Sequence, residues 1–213
     1  MSKFYIDSYE YRSLYSIYPD TQEELIEYLE NELKVDQEKL LAEEDRIKNI
    51  EWGEKEWTFY LIPKGSPRPR SGGGHFYVKG AKELKKFFEK CLRDEDILCC
   101  RCEFNMDVYL PTPIHSMTKT EVLLAEKGLI RPINTPDFDN LAKTYTDPLQ
   151  QVVLINDNII NPGCVKKYYS IKPRINIKIR YQKDFDSKYN ERKTLSSIMY
   201  KKMIKEKWEC LKM

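Results

Sequence analysis

The stretch 135–157, which reads TPDFDNLAKTYTDPLQQVVLIND, constrains the fold of this chain more than any other segment. It gathers four acidic residues and one basic residue: Asp137, Asp139, Asp147, Asp157 and Lys143. Asp137 and Asp139 are two residues apart, so on an extended segment their side chains leave the same face. Lys143 and Asp147 follow at intervals of four, which places them on one face of a helix. One small patch can therefore hold these side chains.

Such a patch carries an electrostatic cost. Two carboxylates about 4 Å apart repel by roughly 4 kcal/mol at an effective dielectric of about 20. Lys143 can offset one charge, and a hard divalent cation such as Mg²⁺, which binds carboxylate oxygens, accounts for the rest. A bound ion of this kind activates water and stabilises charge on a phosphate, while a nearby lysine neutralises the developing oxyanion. The spacing thus favours a metal-dependent phosphodiester hydrolase.

A purely structural interpretation of the same aspartates is the alternative. Asp139 can cap a helix that starts at Asn140. Asp157 can belong to a turn formed with its two neighbouring asparagines. Each explanation fits one residue, but neither accounts for Lys143.

Length and charge set the outer bounds. With 213 residues, 41 % of them hydrophobic, the chain can bury one good core with appendages. The net charge of +2 hides an asymmetry, because 18–56 holds fourteen acidic and five basic residues, while 166–213 holds fifteen basic and five acidic residues. This asymmetry predicts a basic surface for a polyanion, although solvated helix and strand faces produce the same pattern.

Cysteine usage and hydropathy indicate the compartment. The six cysteines form no CxxC pair and have no histidine at zinc-ligand spacing, so we interpret them as buried thiols in a reducing compartment. The sequence has no apolar run of about 18 residues and no charged-then-apolar leader, which predicts neither a membrane span nor a signal peptide. We therefore expect a cytoplasmic protein.

The apolar periodicity of 20–50 predicts one long helix or a helical pair. Its start is expected at Asp20, with Glu23 in the capping-box position. The apolar stripe indicates a surface or dimer helix with an acidic outer face. A binding site for a specific protein partner is the alternative.

The remaining pattern predicts an α+β (mixed α/β) fold, in which a mixed sheet is flanked by helices. Strands are expected from aromatic and β-branched alternation at 57–63, 97–110, 163–169 and 171–181. Helices are expected at 81–92 and at 116–127, the second with a Thr118–Glu121 capping box and Gly128 after its end. Asp107, on the second predicted strand, is a further candidate for the acidic patch.

The segment PDFDNLAKTYTD, followed by IND, resembles the signature of the RusA-type Holliday junction resolvases. That signature runs PD-x-DN-L-x-K, then an aspartate four residues later, then an aspartate-bearing turn. The similarity extends over about 57–181 and includes the basic, proline-containing loop IPKGSPRPR. It implies that Asp137, Asp139 and Asp157 are catalytic carboxylates that bind the metal and that Lys143 is the catalytic lysine. Asp147 and Asn140 would not bind the metal themselves but would orient the groups around it.

The same resemblance implies an Mg²⁺-dependent endonuclease, with Mn²⁺ as a substitute, acting in a bacterial or phage-infected host cell. A four-way junction has approximate two-fold symmetry, which a homodimer with two active sites matches. The basic residues expected to contact DNA phosphates are Lys64, Arg68, Arg70, Lys166, Lys167, Arg174, Lys178 and Arg180. The alternatives are a non-catalytic branched-DNA-binding or assembly protein that retains the fold, and a flap or branched-DNA nuclease.

Two departures from the family pattern stand out. Pro148 replaces the alanine that usually follows the helix aspartate, and it is expected to end the helix early because it lacks an amide donor. The turn before Asp157 has Gln150 and Gln151 where a glycine is common. The chain is expected to divide into an acidic helical extension, a nuclease domain and a basic amphipathic C-terminal helix, at 1–56, 57–183 and 184–213.

Overall fold

The computed structural model describes residues 19, 21–65, 70–72, 75–77 and 81–183. The chain divides into two compact units, Met1–Ile50 and Glu51–Met213. Asp20 and the C-terminal helix expected at 184–213 lie outside the described residues.

The first unit contains two helices, α1 (Gln22–Leu33) and α2 (Gln37–Lys48), so the helical pair is the correct alternative. The capping box of α1 pairs Thr21 with Glu24, one residue later than predicted. The helix ends at Lys34, which adopts a left-handed conformation with φ of 47°. That conformation stops the helix and separates it from α2.

Both helices of this unit are solvated along their length, and within the described residues neither contains a buried side chain. Their apolar stripe includes Leu33 and Leu41, which are 67 % and 61 % exposed. The expected protein partner stays a prediction.

The second unit is built on a four-stranded mixed sheet. Its strands are β1 (Trp52–Phe59), β4 (Cys102–Pro111), β5 (Ile160–Ser170) and β6 (Arg174–Gln182). The spatial order is β1-β6-β4-β5, with β4 and β5 parallel and the other pairs antiparallel. Two short strands, β2 (Arg70–Gly72) and β3 (His75–Tyr77), form a separate hairpin.

Helices complete the unit and confirm the α+β class. They are α3 (Ala81–Cys91), α4 (Lys119–Glu126) and α5 (Phe138–Thr146). Single 3₁₀ turns lie at Ile114–Ser116, Asp147–Leu149 and Asp157–Ile159. None of the described helices is both long enough and apolar enough to cross a bilayer.

Strand alternation creates one core face of the sheet. Ile175, Ile177 and Ile179 of β6 are fully buried there. Leu141 and Tyr145 of α5 pack into the same cluster, and so do residues of α3. The alternate residues point to the other side, here called the open face, which is formed by Glu54, Glu56, Glu103, Asn105, Asp107, Tyr109, Lys166, Tyr168, Arg174, Asn176, Lys178 and Arg180.

Several predicted boundaries were wrong. β1 begins at Trp52, five positions before the predicted 57, because it pairs with β6 from Trp52 to Phe59. The acidic residues of β1 made the start of the strand difficult to predict from the sequence. They lie on the open face, opposite the basic residues of β6. β4 begins only at Cys102, since Leu98 forms an isolated bridge with Leu154. The Thr118–Glu121 capping box of α4 is confirmed.

The cysteines are only partly buried. Cys100 and Cys102 lie in the core, as predicted, and none of the described cysteines forms a disulfide. Cys91 is exposed, however, so the prediction that it is a buried thiol was wrong. The neighbouring Phe88 and Leu92 fill the core positions of that face.

Candidate active site

The helix α5 presents the first two aspartates at its N-terminus. It begins at Phe138 with Asp137 in the N-cap position, so the alternative in which Asp139 caps a helix from Asn140 is wrong. The described contacts give the Asp137 side chain no hydrogen bond to the helix amides. Asp139 lies in the first turn, where the helix dipole stabilises negative charge. Both carboxylates are exposed and are not used for capping.

One face of α5 carries the predicted row of charged residues. Asp139, Lys143 and Asp147 are spaced by four and are exposed, whereas Leu141 and Tyr145 on the opposite side are buried. Pro148 ends the α-helix as predicted, and the chain continues as a 3₁₀ turn. Asp147 itself keeps helical torsion angles of −55° and −47°, so it stays in line with Lys143.

The loop before β5 positions Asp157. Backbone hydrogen bonds of 2.8 Å and 3.0 Å tie Val153 and Ile155 to Leu98. The predicted asparagine turn exists, but the Asn156 side chain closes it by accepting the Asn158 amide proton at 3.1 Å. The Asp157 carboxylate is therefore not needed for the turn and is exposed at the start of the strand.

The charges of Lys143, Asp147 and Asp157 act on one another. Desolvation raises the pKa of Asp147, the negative charge of Asp157 raises it further, and the Lys143 ammonium opposes both effects. The helix face and the loop before β5 thus meet at one acidic surface. A cation placed there would relieve the repulsion between the two carboxylates.

The metal-ligand set is less compact than the sequence implied. Within the described part of the chain, no group of three acidic, histidine or cysteine side chains is close enough to hold a metal ion. The donor chemistry does fit, because the exposed carboxylate oxygens of Asp137, Asp139 and Asp157 are the ligands that Mg²⁺ prefers. The destabilised ionised form of Asp147 is a second feature that a cation would correct.

A cleft opens beside Asp157, between α5 and the start of β5. Its walls are Phe104, Phe138, Ala142, Thr146, Asp157, Ile160, Gly163, Cys164 and Val165. Phe138, the residue between the first two aspartates, is 57 % exposed. The acidic surface is therefore bordered by an apolar recess that can accept a flat or aliphatic group.

A segment of the basic loop is fixed against α5. The Tyr145 hydroxyl accepts a hydrogen bond from the Lys64 amide at 3.0 Å and donates one to the Lys64 carbonyl at 3.2 Å. Gly65 approaches closely, because a Cβ atom there would lie 2.7 Å from Asn140 Nδ2 and 2.9 Å from Pro136 Cβ. Arg68 and the Arg70 side chain lie outside the described residues. The sequence did not identify Tyr145, since helical spacing from Leu141 indicates only packing.

Four of the predicted DNA-binding residues lie on the open face, across the sheet from α5: Lys166, Arg174, Lys178 and Arg180. Lys178 pairs with Glu54 at 2.9 Å, and Arg180 Nη1 lies 3.4 Å from Glu103. The guanidinium of Arg174 stacks 3.6 Å from the ring centroid of Tyr109.

Two further predicted residues are separated by the sheet. Asp107 lies on the open face in register with Lys166, so it does not join the acidic patch. Lys167 lies on the α5 side, where its Nζ donates hydrogen bonds to the carbonyls of Asn134 at 2.9 Å and Pro136 at 3.0 Å. Its ammonium thus contacts the chain just before Asp137.

Most of the second unit is similar in sequence to known proteins. The family model of endodeoxyribonuclease RusA matches residues 60–180, which include α5, the Asp157 loop and β5. The chain is also 31 % identical over 133 residues to the uncharacterized protein YqaN of Bacillus subtilis (strain 168). That alignment covers 58 % of this chain and 94 % of the relative. The two helices of the first unit lie outside the family match.

Proposed function

Because the chain belongs to the endodeoxyribonuclease RusA family, we propose that it is a metal-dependent endonuclease that resolves four-way DNA junctions by paired, symmetric nicks. The family match supports the reaction class and the branched substrate. We place the protein in the cytoplasm of a bacterial or phage-infected cell.

One observation carries the proposal: Asp139, Lys143 and Asp147 share the exposed face of α5, and Asp157 acts electrostatically on that face. Carboxylates grouped with a single lysine are costly for a purely structural surface. They are suited to a reaction in which negative charge develops on a phosphate.

The carboxylates of Asp137, Asp139 and Asp157 would hold Mg²⁺, for which Mn²⁺ is a substitute. When bound, such an ion supplies an activated water and stabilises charge on the scissile phosphate. Asp137 and Asp139 flank Phe138 at the helix start, and Asp157 approaches from the loop before β5. The cation would draw these side chains together, and the substrate phosphate would provide further oxygen ligands.

Lys143 has the central role among the protein groups. Its ammonium lies one helical turn after Asp139 and one turn before Asp147. In this position it can neutralise charge on a non-bridging phosphate oxygen in the transition state. Asp147, whose carboxylate interacts electrostatically with both Lys143 and Asp157, would help to orient the Lys143 side chain, and Asn140 would support the site from the first turn of α5.

The DNA path runs over the α5 side of the sheet. Lys64 is exposed there, and a hydrogen bond fixes its backbone to Tyr145. The basic loop that follows, with Arg68 and Arg70, would contact phosphates next to the acidic surface. The apolar cleft lined by Phe138 would accept a sugar or base beside the cut.

Two copies of the chain would act on one junction. A two-fold dimer places two equivalent active sites on the symmetric arms of the substrate. The acidic α1 and α2 helices, with their exposed leucines, would bind a protein partner.

A synthetic four-way junction in Mg²⁺ tests the proposal. The parent protein should produce symmetric nicks, and EDTA should abolish them. Asp139→Asn and Asp157→Asn should reduce the cleavage rate by roughly 1,000-fold or more while they keep junction binding. Asp107→Asn is the matched control, because Asp107 lies on the open face, and it should cleave like the parent. Cleavage that is unchanged in both site variants would overturn the catalytic assignment.

The second candidate is a branched-DNA-binding protein that keeps the fold without cleaving. It is favoured by the spread of the carboxylates, since no group of three within the described residues is close enough for a metal ion. Under this function the parent would bind the junction tightly but release no nicked duplex in Mg²⁺ or Mn²⁺. A flap substrate, assayed in parallel, separates junction resolution from general branched-DNA cleavage.

A further inference from the structure

Lys167 links the sheet to the segment that precedes α5. It lies in β5, and its Nζ donates hydrogen bonds to two backbone carbonyls, Asn134 at 2.9 Å and Pro136 at 3.0 Å. Neither acceptor is a carboxylate. The ammonium therefore joins two residues that are separated from it by more than thirty positions in the sequence.

The position of these carbonyls gives the contact its significance. Asn134 and Pro136 come immediately before Asp137, the N-cap residue of α5. Described contacts give the Asp137 side chain no bond to the helix amides, so capping by that side chain does not fix this helix start. Gly65 also lies close to Pro136, since a Cβ atom at Gly65 would be 2.9 Å from the Pro136 Cβ. The segment that enters α5 thus contacts both the basic loop and Lys167.

The anchor itself is rigid. Val165, Lys166 and Lys167 are paired in register with Met106, Asp107 and Val108 of β4. The side chain of Met106 is 1 % exposed and that of Val108 is fully buried. A hydrogen bond from such a strand can transmit the position of the sheet to a loop, because charge-assisted bonds are short and directional.

We propose that Lys167 is a positioning residue for the nuclease site, which holds the 134–136 segment so that Asp137 and Asp139 face the metal and the substrate phosphate. This role rests on the proposed function. It replaces direct phosphate contact as the task of Lys167, because two of its three ammonium protons are donated to the two carbonyls. Misplacement of a catalytic group by about 1 Å costs roughly 100-fold in rate.

Three variants test the role. Lys167→Met removes both hydrogen bonds but keeps an extended aliphatic side chain, Lys167→Arg keeps a cationic donor, and the control Lys119→Met alters an exposed lysine of α4 that has no assigned role. For junction cleavage, Lys167→Met should lower kcat by roughly 100-fold and raise the Mg²⁺ concentration for half-maximal rate. KM for the junction should stay within about two-fold, since no phosphate contact is lost. Lys167→Arg should recover most of the rate, and Lys119→Met should match the parent.

Hydrogen–deuterium exchange provides a readout that needs no activity. Amides in the 134–141 peptide should exchange faster in Lys167→Met than in the parent, while peptides from β4 stay protected. If Lys167→Met does not fold, Lys167→Gln replaces it, because the amide still donates a hydrogen bond without charge.

The outcomes separate the inference from the function on which it rests. Unchanged exchange at 134–141, or weaker junction binding with a salt slope reduced by about one, would overturn the positioning role in favour of phosphate contact. A parent that cleaves no branched DNA would overturn the proposed function, whereas faster exchange in Lys167→Met would still support the anchoring of the helix start.

Discussion

Tyr145 and Lys64 exchange two hydrogen bonds across the interior of the second unit. The Tyr145 hydroxyl accepts from the Lys64 amide at 3.0 Å and donates to the Lys64 carbonyl at 3.2 Å. The Tyr145 ring is buried in the core, and burial raises the pKa of its hydroxyl. One residue of α5 therefore satisfies both backbone groups of the residue that begins the basic loop. The basic loop and the acidic helix face are thus fixed to each other.

Removal of this hydroxyl should loosen the loop without disturbing the core. Tyr145→Phe keeps the ring but leaves two backbone groups unsatisfied, which should cost about 1–3 kcal/mol in the free energy of unfolding. Urea denaturation measures this loss, and junction cleavage should fall with it. Tyr109→Phe is the control, because the Tyr109 ring stacks on Arg174 and Tyr168. A stability loss for Tyr109→Phe equal to that for Tyr145→Phe would contradict the assigned role of the hydrogen bonds.

Much of the second unit follows from local sequence signals. The alternation of Ile175, Ile177 and Ile179 predicted a half-buried strand, and the structure buries all three. The start of β1 could not be predicted from local sequence signals, because its acidic open-face residues resemble those of the preceding helix. Only the pairing with β6, which is remote in sequence, extends the strand back to Trp52.

In the site, too, relations within one element were predictable and contacts between distant segments were not. Helical spacing predicted that Asp139, Lys143 and Asp147 share a face, since that relation lies within one element. The contacts of Tyr145 with Lys64 and of Lys167 with Asn134 join distant segments, and no local pattern encodes them. Charge alone likewise could not separate the cations of the open face from those near α5.

The location of Lys64 and Lys178 on opposite faces of the sheet predicts different contributions to DNA binding. Lys64→Ala should weaken junction binding several-fold and reduce the slope of log K against log salt by about one, as expected for one lost phosphate contact. Lys178→Ala should change neither quantity beyond error, because Lys178 is paired with Glu54. Fluorescence anisotropy in Ca²⁺ over a salt series measures both. An equal slope change in the two variants would place the DNA across the open face.

Thiol reactivity should distinguish Cys91 from Cys102. Burial raises the pKa of Cys102 to about 12, so almost none of it is the reactive thiolate at pH 8. Cys91 is exposed on α3 and should be alkylated by iodoacetamide within the native protein. Peptide mass mapping after a short reaction should find Cys91 modified and Cys102 intact, while both react in denaturant. Modification of Cys102 at the rate of Cys91 would contradict its burial.

Glu95 connects the segment after α3 to the core side of β1. Its carboxylate accepts a hydrogen bond from the Trp57 indole at 2.8 Å and pairs with Lys55. The Lys55 hydrogen bond is the main cause that lowers the pKa of Glu95; desolvation opposes it, and the Trp57 bond adds to the lowering. A carboxylate with a lowered folded-state pKa stabilises the fold above its unfolded pKa, and this contribution disappears as the pH falls through the folded value.

Glu95→Gln should therefore destabilise the protein in a pH-dependent manner. At pH 7 the loss should be about 1 kcal/mol, because the pair is partly exposed and solvent screens it. The difference between parent and variant should shrink as the pH falls below the ordinary glutamate pKa and through the lowered folded-state pKa of Glu95, because Glu95 then becomes protonated in the parent as well. Urea denaturation at a series of pH values measures this difference in the free energy of unfolding. Glu54→Gln, which alters an exposed pair with Lys178, should have little effect at any pH. A Glu95→Gln deficit that persists unchanged in acid would show that packing, and not charge, gives Glu95 its role.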